Sequence, residues 1–213
     1  MAKHKKLKKT LSKSDREDRK QQRNNRLVAI IMALLMVAGL AGIMLGGNGS
    51  NSAGSEFTYQ DYSFKLEPIK DSMQSVLKTE VNGKDISFYT LPQDALEINV
   101  EGNLSFLRST QYFILTGNPN DALMNIQDII RFDISQATEK IGIGAVMFPS
   151  ENYTLYPTLT CLNATTGVPV IELVESNVTT VLVDGSCVKI ESQRQDVLRI
   201  RDLLLYYMVG ILK

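Results

Sequence analysis

The chain lacks tryptophan and has only one histidine and two cysteines among its 213 residues. The histidine is His4, so no later residue can supply an imidazole base or metal ligand. This excludes serine–histidine and cysteine–histidine catalysis after position 4. Two thiols without histidine leave too few ligands for a zinc site. We therefore predict no catalytic residue, no metal site and no cofactor.

A phosphate-binding glycine loop is also missing, because Gly142-Ile143-Gly144 lies in a strand-like run without the further glycine of that motif. Paired carboxylates can hydrolyse glycosides without histidine, but no pair stands out among the acidic residues. These absences argue against an enzyme.

One long stretch, residues 27–46, contains no charged or strongly polar side chain. As a helix, such a stretch spans ~30 Å, the thickness of the hydrocarbon core of a bilayer. We predict a transmembrane helix over 27–46. A cleaved signal peptide is the alternative, with a weak cleavage candidate at residues 51–53. The long charged region before the stretch and the length of the apolar run favour the uncleaved anchor.

Charge is divided unevenly along the chain. Residues 1–26 hold 11 basic and 3 acidic residues, a net charge of +8, and the remainder carries −8. The positive-inside rule predicts that 1–26 is a basic cytoplasmic tail and that the chain after the helix lies outside the cell membrane. No aromatic residue is interleaved with the basic ones, so contact with the lipid bilayer is favoured over nucleic acid.

Small residues repeat every four positions inside the apolar stretch, at Ala38, Gly42 and Gly46. A stripe of this kind lets two membrane helices approach closely, so these residues are candidates for helix packing in a homo-oligomer. The alternative is that glycine and alanine are simply common in membrane helices.

A Gly-, Ser- and Asn-rich segment, residues 47–56, predicts a flexible linker. Residues 57–213 then predict one α+β extracytoplasmic domain with a mixed sheet flanked by helices. Asn82-Gly83 predicts a tight hairpin turn within residues 75–91, and Asp184-Gly185 predicts a second turn. Further strands are predicted over 111–116, 143–148, 157–162, 168–175, 178–183 and 186–191.

A short helical segment is predicted over residues 103–110, and three other helices are predicted to begin near Pro92, Asn118 and Arg194. The apolar end of the last one, residues 203–212, is too short to cross a bilayer, so we expect it to pack against the sheet. The inner face of the second is predicted to consist of Leu123, Ile126, Ile129, Ile130, Ile134 and Ala137.

The two cysteines, Cys161 and Cys187, both lie in the outer domain by this topology. An even count in an exported domain predicts a disulfide. A redox-active pair is the alternative, but catalytic dithiols usually stand as C-x-x-C at a helix start. Cys161 and Cys187 do not form this motif, which favours a structural disulfide.

Five N-x-S/T sequons follow the apolar stretch, which is a modest excess over chance and predicts a glycoprotein. They begin at Asn48, Asn103, Asn152, Asn163 and Asn177.

Residues 1–46 combine a basic N-terminus with a single apolar stretch, residues 89–92 read YTLP, and residues 160–165 in the C-terminal third read TCLNAT. Together with other segments of that third, these features resemble a group of small, single-pass, membrane-anchored archaeal proteins of uncharacterised function. The C-terminal part comprises the segments 160–165 (TCLNAT), 168–172 (VPVIE), 177–179 (NVT), 185–188 (GSCV) and 201–206 (RDLLLY). The resemblance implies a place at the archaeal cell surface and assigns no functional residue.

The sequence leaves three candidate functions. The favoured one is a membrane-tethered extracytoplasmic structural or binding module, a subunit of a cell-envelope or secretion assembly with a membrane or envelope protein as partner. The alternative is an extracytoplasmic enzyme, either a thiol oxidoreductase or a carboxylate-based hydrolase. The third is an adaptor whose basic tail recruits nucleic acid or ribosomes.

Overall fold

The structure is a computed structural model that describes residues 55–69 and 75–213, all within one compact unit, Gly54–Lys213. The basic tail, the apolar stretch with Ala38, Gly42 and Gly46, and Asn48 lie outside the described residues. Within the described part, no helix is both long enough and apolar enough to cross a membrane.

The domain is α+β, as predicted, but it contains two sheets rather than one. The first is an antiparallel meander, in the order β1-β2-β3-β4. Its strands are β1 (Glu56–Tyr59), β2 (Tyr62–Pro68), β3 (Ser75–Val81) and β4 (Lys84–Phe88). Asn82 and Gly83 both have positive φ, 53° and 79°, which is the backbone of the predicted tight turn between β3 and β4.

The second sheet has six mixed strands in the order β5-β9-β10-β8-β6-β7. Neighbours run parallel except for β9 and β10, which form a hairpin at Gly185 as predicted. The strands are β5 (Asn99–Glu101), β6 (Tyr112–Gly117), β7 (Ile141–Val146), β8 (Val170–Glu175), β9 (Thr180–Asp184) and β10 (Cys187–Ser192).

Three α-helices accompany the sheets: α1 (Pro92–Ala95), α2 (Met124–Thr138) and α3 (Val197–Val209). Helix α3 is buried over most of its length, as expected for residues 203–212. Its side chains share one core with residues of both sheets, which is why the sheets form separate layers. On the meander side, the ring of Tyr206 stacks on Phe88 at 4.1 Å and meets Phe64 edge-on at 6.2 Å.

The expected inner face of α2 was wrong at Ile129, which is 60% exposed, whereas Gln127 is buried. The amide of Gln127 donates hydrogen bonds to the carbonyl oxygens of Leu115 (2.7 Å) and Ala145 (2.9 Å). A side chain at position 117 would collide with it, because a Cβ on Gly117 would lie 2.3 Å from Gln127 Oε1. These contacts fix the rotation of the helix, and its apolar residues follow that rotation.

The expected strand over 157–162 was also wrong. Thr158 forms an isolated bridge with Val146, and Cys161–Asn163 forms a 3-10 turn. Thr160 and Asn163 cap that turn reciprocally, so local side-chain hydrogen bonds replace a sheet ladder.

A buried carboxylate, Asp202 on α3, attaches the meander to the helix. Its Oδ2 accepts hydrogen bonds from the backbone N–H groups of Tyr89 (2.6 Å) and Thr90 (2.8 Å) and from the Thr90 hydroxyl (3.0 Å). Its Oδ1 accepts from Arg201 (2.7 Å), whose guanidinium also donates to the carbonyl of Ser87 (2.7 Å). The end of β4 and the residues after it are therefore fixed to α3 by charge-assisted hydrogen bonds.

The same cluster also contacts Asp133 on α2 and includes the hydroxyl of Tyr206. Arg201 lies 3.6 Å from Asp133 and 5.4 Å from the ring centroid of Tyr89. The hydroxyl of Tyr206 donates to the Thr90 carbonyl at 2.5 Å. Burial raises the pKa of Asp202, and the guanidinium of Arg201 opposes that shift.

Replacing Asp202 with Asn tests this clamp. The amide keeps the shape but removes the charge, so Arg201 is left buried without its partner. We expect the free energy of unfolding to fall by about 3–5 kcal/mol. Urea titration followed by circular dichroism measures this change. The matched control is D85N on the exposed face of the meander, expected to change stability by less than ~0.5 kcal/mol; equal losses in both variants would contradict the clamp.

Candidate functional site

The disulfide corner is the site at which several predicted residues meet. Both α2 and α3 pack on one face of the six-stranded sheet, hereafter the inner face, together with Phe113, Ile171 and Val188. The opposite face, hereafter the outer face, is covered over β6, β7 and β8 by the loop 159–168. That loop carries Cys161, and β10 begins at Cys187.

The structure joins Cys161 to Cys187, with the two Cα atoms 5.2 Å apart, as the sequence predicted. Cys187 is buried, and its backbone pairs with Val170 on β8. The bond therefore ties the loop over the outer face to the middle of the sheet. Neither cysteine begins an α-helix, so the arrangement lacks the helix start that stabilises a catalytic thiolate.

Glu172 is an acidic residue in this corner that sequence reasoning missed. It lies on β8 with an exposed fraction of only 8%, and its Oε1 accepts a hydrogen bond from the backbone N–H of Cys161 at 2.6 Å. The carboxylate thus holds the turn that places Cys161 beside Cys187. The signal in the sequence was an acidic residue in the middle of an apolar strand, Val170–Glu175.

A shallow depression surrounds the disulfide. It is lined by Cys161, Leu162, Ala164, Thr165, Thr166, Asp184, Ser186, Cys187 and Lys189. Leu162 is almost fully exposed there, and Lys189 pairs in register with Glu172 on the neighbouring strand. The depression thus combines hydroxyl groups, the exposed cation Lys189, the exposed carboxylate Asp184 and the apolar side chain of Leu162, which suit hydrogen bonding and packing.

The carboxyl ends of β6 and β8 are where open α/β sheets commonly hold ligands. In this chain, Glu175 fills that position. Its carboxylate accepts from the N–H of Ala122 (3.2 Å) and pairs with Arg194 (2.5 Å), while its own N–H donates to Asp121 (3.0 Å). The hydrogen bond from Arg194 lowers the pKa of Glu175. These bonds join the segment after β6, which carries Asp121 and Ala122, to the end of β8 and to Arg194, which follows β10.

The free edge of β7 is covered by side chains and by a loop. Gly142 donates its N–H to Ser135 Oγ (3.1 Å) and receives a hydrogen bond from Arg131 at its carbonyl (3.0 Å). Val146 likewise bonds Pro157 and Leu159 through its backbone. Glycine is needed at position 142, because a Cβ there would lie 2.6 Å from the ring of Phe113. An edge strand protected in this way is poorly available to an added strand.

The loop after β7 is fixed to α2 by a tyrosine. The hydroxyl of Tyr156 donates to Asp128, which also pairs with Arg131 at 3.1 Å. This hydrogen bond raises the pKa of Tyr156. Gly144 lies beneath the group, where a Cβ would come within 3.2 Å of Asp128 Oδ1. No sequence pattern indicates this contact, because its members come from separate elements.

The sequon asparagines within the described part are all exposed. These are Asn103, Asn152, Asn163 and Asn177. Asn163 Oδ1 accepts a hydrogen bond from the N–H of Thr160 (2.9 Å), and Asn103 Oδ1 accepts from Ser105 (2.7 Å). Exposure is necessary for a glycan, and their modification remains a prediction.

Comparisons with known protein families, with curated proteins and with solved structures find no match. The resemblance to small archaeal membrane proteins therefore remains a prediction.

Replacing both cysteines with serine tests the disulfide. The chain-entropy relation for a loop with a sequence separation of 26 gives about 3.5 kcal/mol of stabilisation. We expect the free energy of unfolding in urea to fall by that order. Reduction of the wild-type protein should give a similar loss, whereas the serine variant should not respond to the reductant. A wild-type protein whose free energy of unfolding does not change with reductant would contradict this assignment.

A matched pair of substitutions tests Glu172. E172Q keeps an oxygen that can accept from Cys161, so its loss of stability should stay near ~1 kcal/mol, whereas E172L leaves the N–H unsatisfied and should lose about 1–3 kcal/mol more. Thermal unfolding with the disulfide intact measures both variants. Identical melting temperatures for the two would show that the hydrogen bond does not hold the turn.

Proposed function

We propose that this chain is a membrane-tethered module whose domain, residues 57–213, lies outside the cell membrane and binds or assembles with a protein of the cell envelope. The observation that carries the proposal is the Cys161–Cys187 disulfide. Disulfides form and persist mainly in oxidising compartments outside the cytoplasm.

The sequence supports the same side of the membrane independently. The apolar stretch 27–46 follows a tail of charge +8, and the chain after it carries −8. This bias orients a single-pass protein with the tail in the cytoplasm. Glycosylation at exposed sequons belongs to the same proposal, because oligosaccharides are added to such asparagines on exported chains.

A binding role is supported by how the domain uses its buried polar groups. Asp202, Arg201 and Glu172 each bond to groups of the chain that fix one element to another. Catalytic groups differ, because they must be left free to meet a substrate in a cleft. The exposed part of the disulfide corner and the outward side of α2 are then the surfaces available to a partner.

Protease treatment of intact cells that express the full chain with a C-terminal tag tests the topology. We expect the tagged domain to be digested in intact cells and to be protected in inverted membrane vesicles. Exchanging the basic residues of 3–9 for glutamate should weaken this orientation, because it removes the charge bias that retains the tail. An untouched tag on intact cells, or a mature chain that starts beyond residue 46, would refute the tether or its direction.

The partner is tested by co-purification after mild detergent extraction. We expect another envelope protein to accompany the full chain. A strictly monomeric chain without companions would count against assembly.

A further inference from the structure

The outward side of α2 carries an unusual set of exposed side chains, hereafter the α2 seam: Asn125, Ile129, Phe132 and Gln136. All four are exposed, with Ile129 at 60% and Phe132 at 56%. At about 100° per residue they fall within an arc of about 60°. The buried residues Gln127, Ile130 and Ile134 lie on the opposite side of the helix.

The spacing of the seam is 4-3-4, the spacing by which one helix packs along another. The seam carries no charge, in a domain whose surface is otherwise rich in charged residues. Its bordering carboxylates already have partners within the chain. Asp128 pairs with Arg131 (3.1 Å), and Asp133 lies 3.6 Å from Arg201. An approaching helix would therefore meet two large apolar side chains without desolvating an unpaired charge.

The pattern also identifies the partner, because it is self-complementary. The seam is centred between Ile129 and Phe132, with one amide at each end. If two α2 helices pack antiparallel about a twofold axis at that centre, each Ile129 meets the Phe132 of the second copy, and each Asn125 meets Gln136. Apolar residues then lie against apolar ones and amides against amides, as an isologous interface requires.

We infer that α2 forms a twofold, antiparallel helix–helix interface with a second copy of this chain. The free edge of β7 is not an equivalent route, because side chains of α2 and the following loop already bond it. The seam has only four side chains, against roughly 20–30 residues a side in a standard-size interface, so the association is weak in isolation. A common membrane would strengthen it by raising the effective concentration.

The inferred interface involves only residues that the structure describes, and it is an inference beyond the proposed function. It is tested on the full chain in detergent micelles, by energy transfer between copies labelled with two dyes. I129E places a charge at the centre of the seam, and we expect the dissociation constant to rise at least tenfold, as for a central interface residue. L182E is the matched control, since Leu182 is 45% exposed on β9, which is separated from β7 by three strands of the sheet; its dissociation constant should not change.

Paired charges test the antiparallel register without touching the apolar centre. The double variant N125E/Q136K places opposite charges together at both ends of the antiparallel pair, so association should strengthen severalfold at low salt and return to the wild-type value at high salt. N125K/Q136K places like charges together and should weaken association. Both positions are exposed, and Asn125 contributes only an exposed 3.3 Å hydrogen bond from the Tyr153 hydroxyl, so the melting temperatures of both variants should stay close to that of the wild type.

Each result decides the inference. It is overturned if I129E associates as the wild type does, or if the opposite-charge and like-charge variants associate equally. A parallel pair would reverse the effect of N125E/Q136K, because the two introduced carboxylates would then face each other, as would the two introduced ammonium groups. Failure of the protease experiment would remove the membrane tether and leave this result intact, so the two proposals fail separately.

Discussion

A single carboxylate in the core determines how the two sheets of this domain are combined. One oxygen of Asp202 accepts hydrogen bonds from two backbone N–H groups and a hydroxyl of the segment that follows the meander. Its second oxygen accepts a hydrogen bond from the guanidinium of Arg201. The hydrophobic effect that buries the meander against α3 is itself non-directional. The ionic group supplies a direction, and Phe64, Phe88 and Tyr206 then fill the space beside it.

The opposite side of the larger sheet is organised by a different device. The loop over the outer face has a small apolar core, in which Leu159, Ala164 and Val168 contact Ile114, Ala145 and Val170. Such a core is too small to hold a long loop by burial alone. The disulfide and the hydrogen bond from Cys161 to Glu172 supply the missing constraint. On this side of the sheet, a covalent bond and a charge-assisted hydrogen bond therefore supplement a limited apolar area, whereas the other side has the large core that includes α3.

Local signals in the sequence predicted local structure well. Asn82-Gly83 marks its turn because both residues accept positive φ, and the even number of cysteines indicated the Cys161–Cys187 bond. The placement of helix α3 in the core was also readable from its apolar composition. The predictions that were wrong depend on contacts between residues that are distant in the sequence. The rotation of α2 depends on Gln127 reaching two carbonyl oxygens of the sheet, and a hydrophobicity pattern does not contain those contacts. The division into two sheets likewise depends on a helix that comes at the end of the chain. Of the candidate site, the cysteines were predicted and Glu172 was not, because its role appears only when β8 lies beside the turn.

The protected edge of β7 has a consequence for crowding. Protein molecules at a high local concentration meet often. An open strand edge would let each molecule pair with the sheet of another, and the sheet could then grow without limit. Because Arg131, Ser135 and the loop after β7 already bond the backbone of Gly142 and Val146, such growth is hindered at this edge. Contact through a twofold helix pair, in contrast, is complete once two molecules have met. With the inferred pairing of α2, a dense population of this protein would consist of discrete pairs, and the protected edge of β7 would hinder growth of a fibre from this side of the sheet.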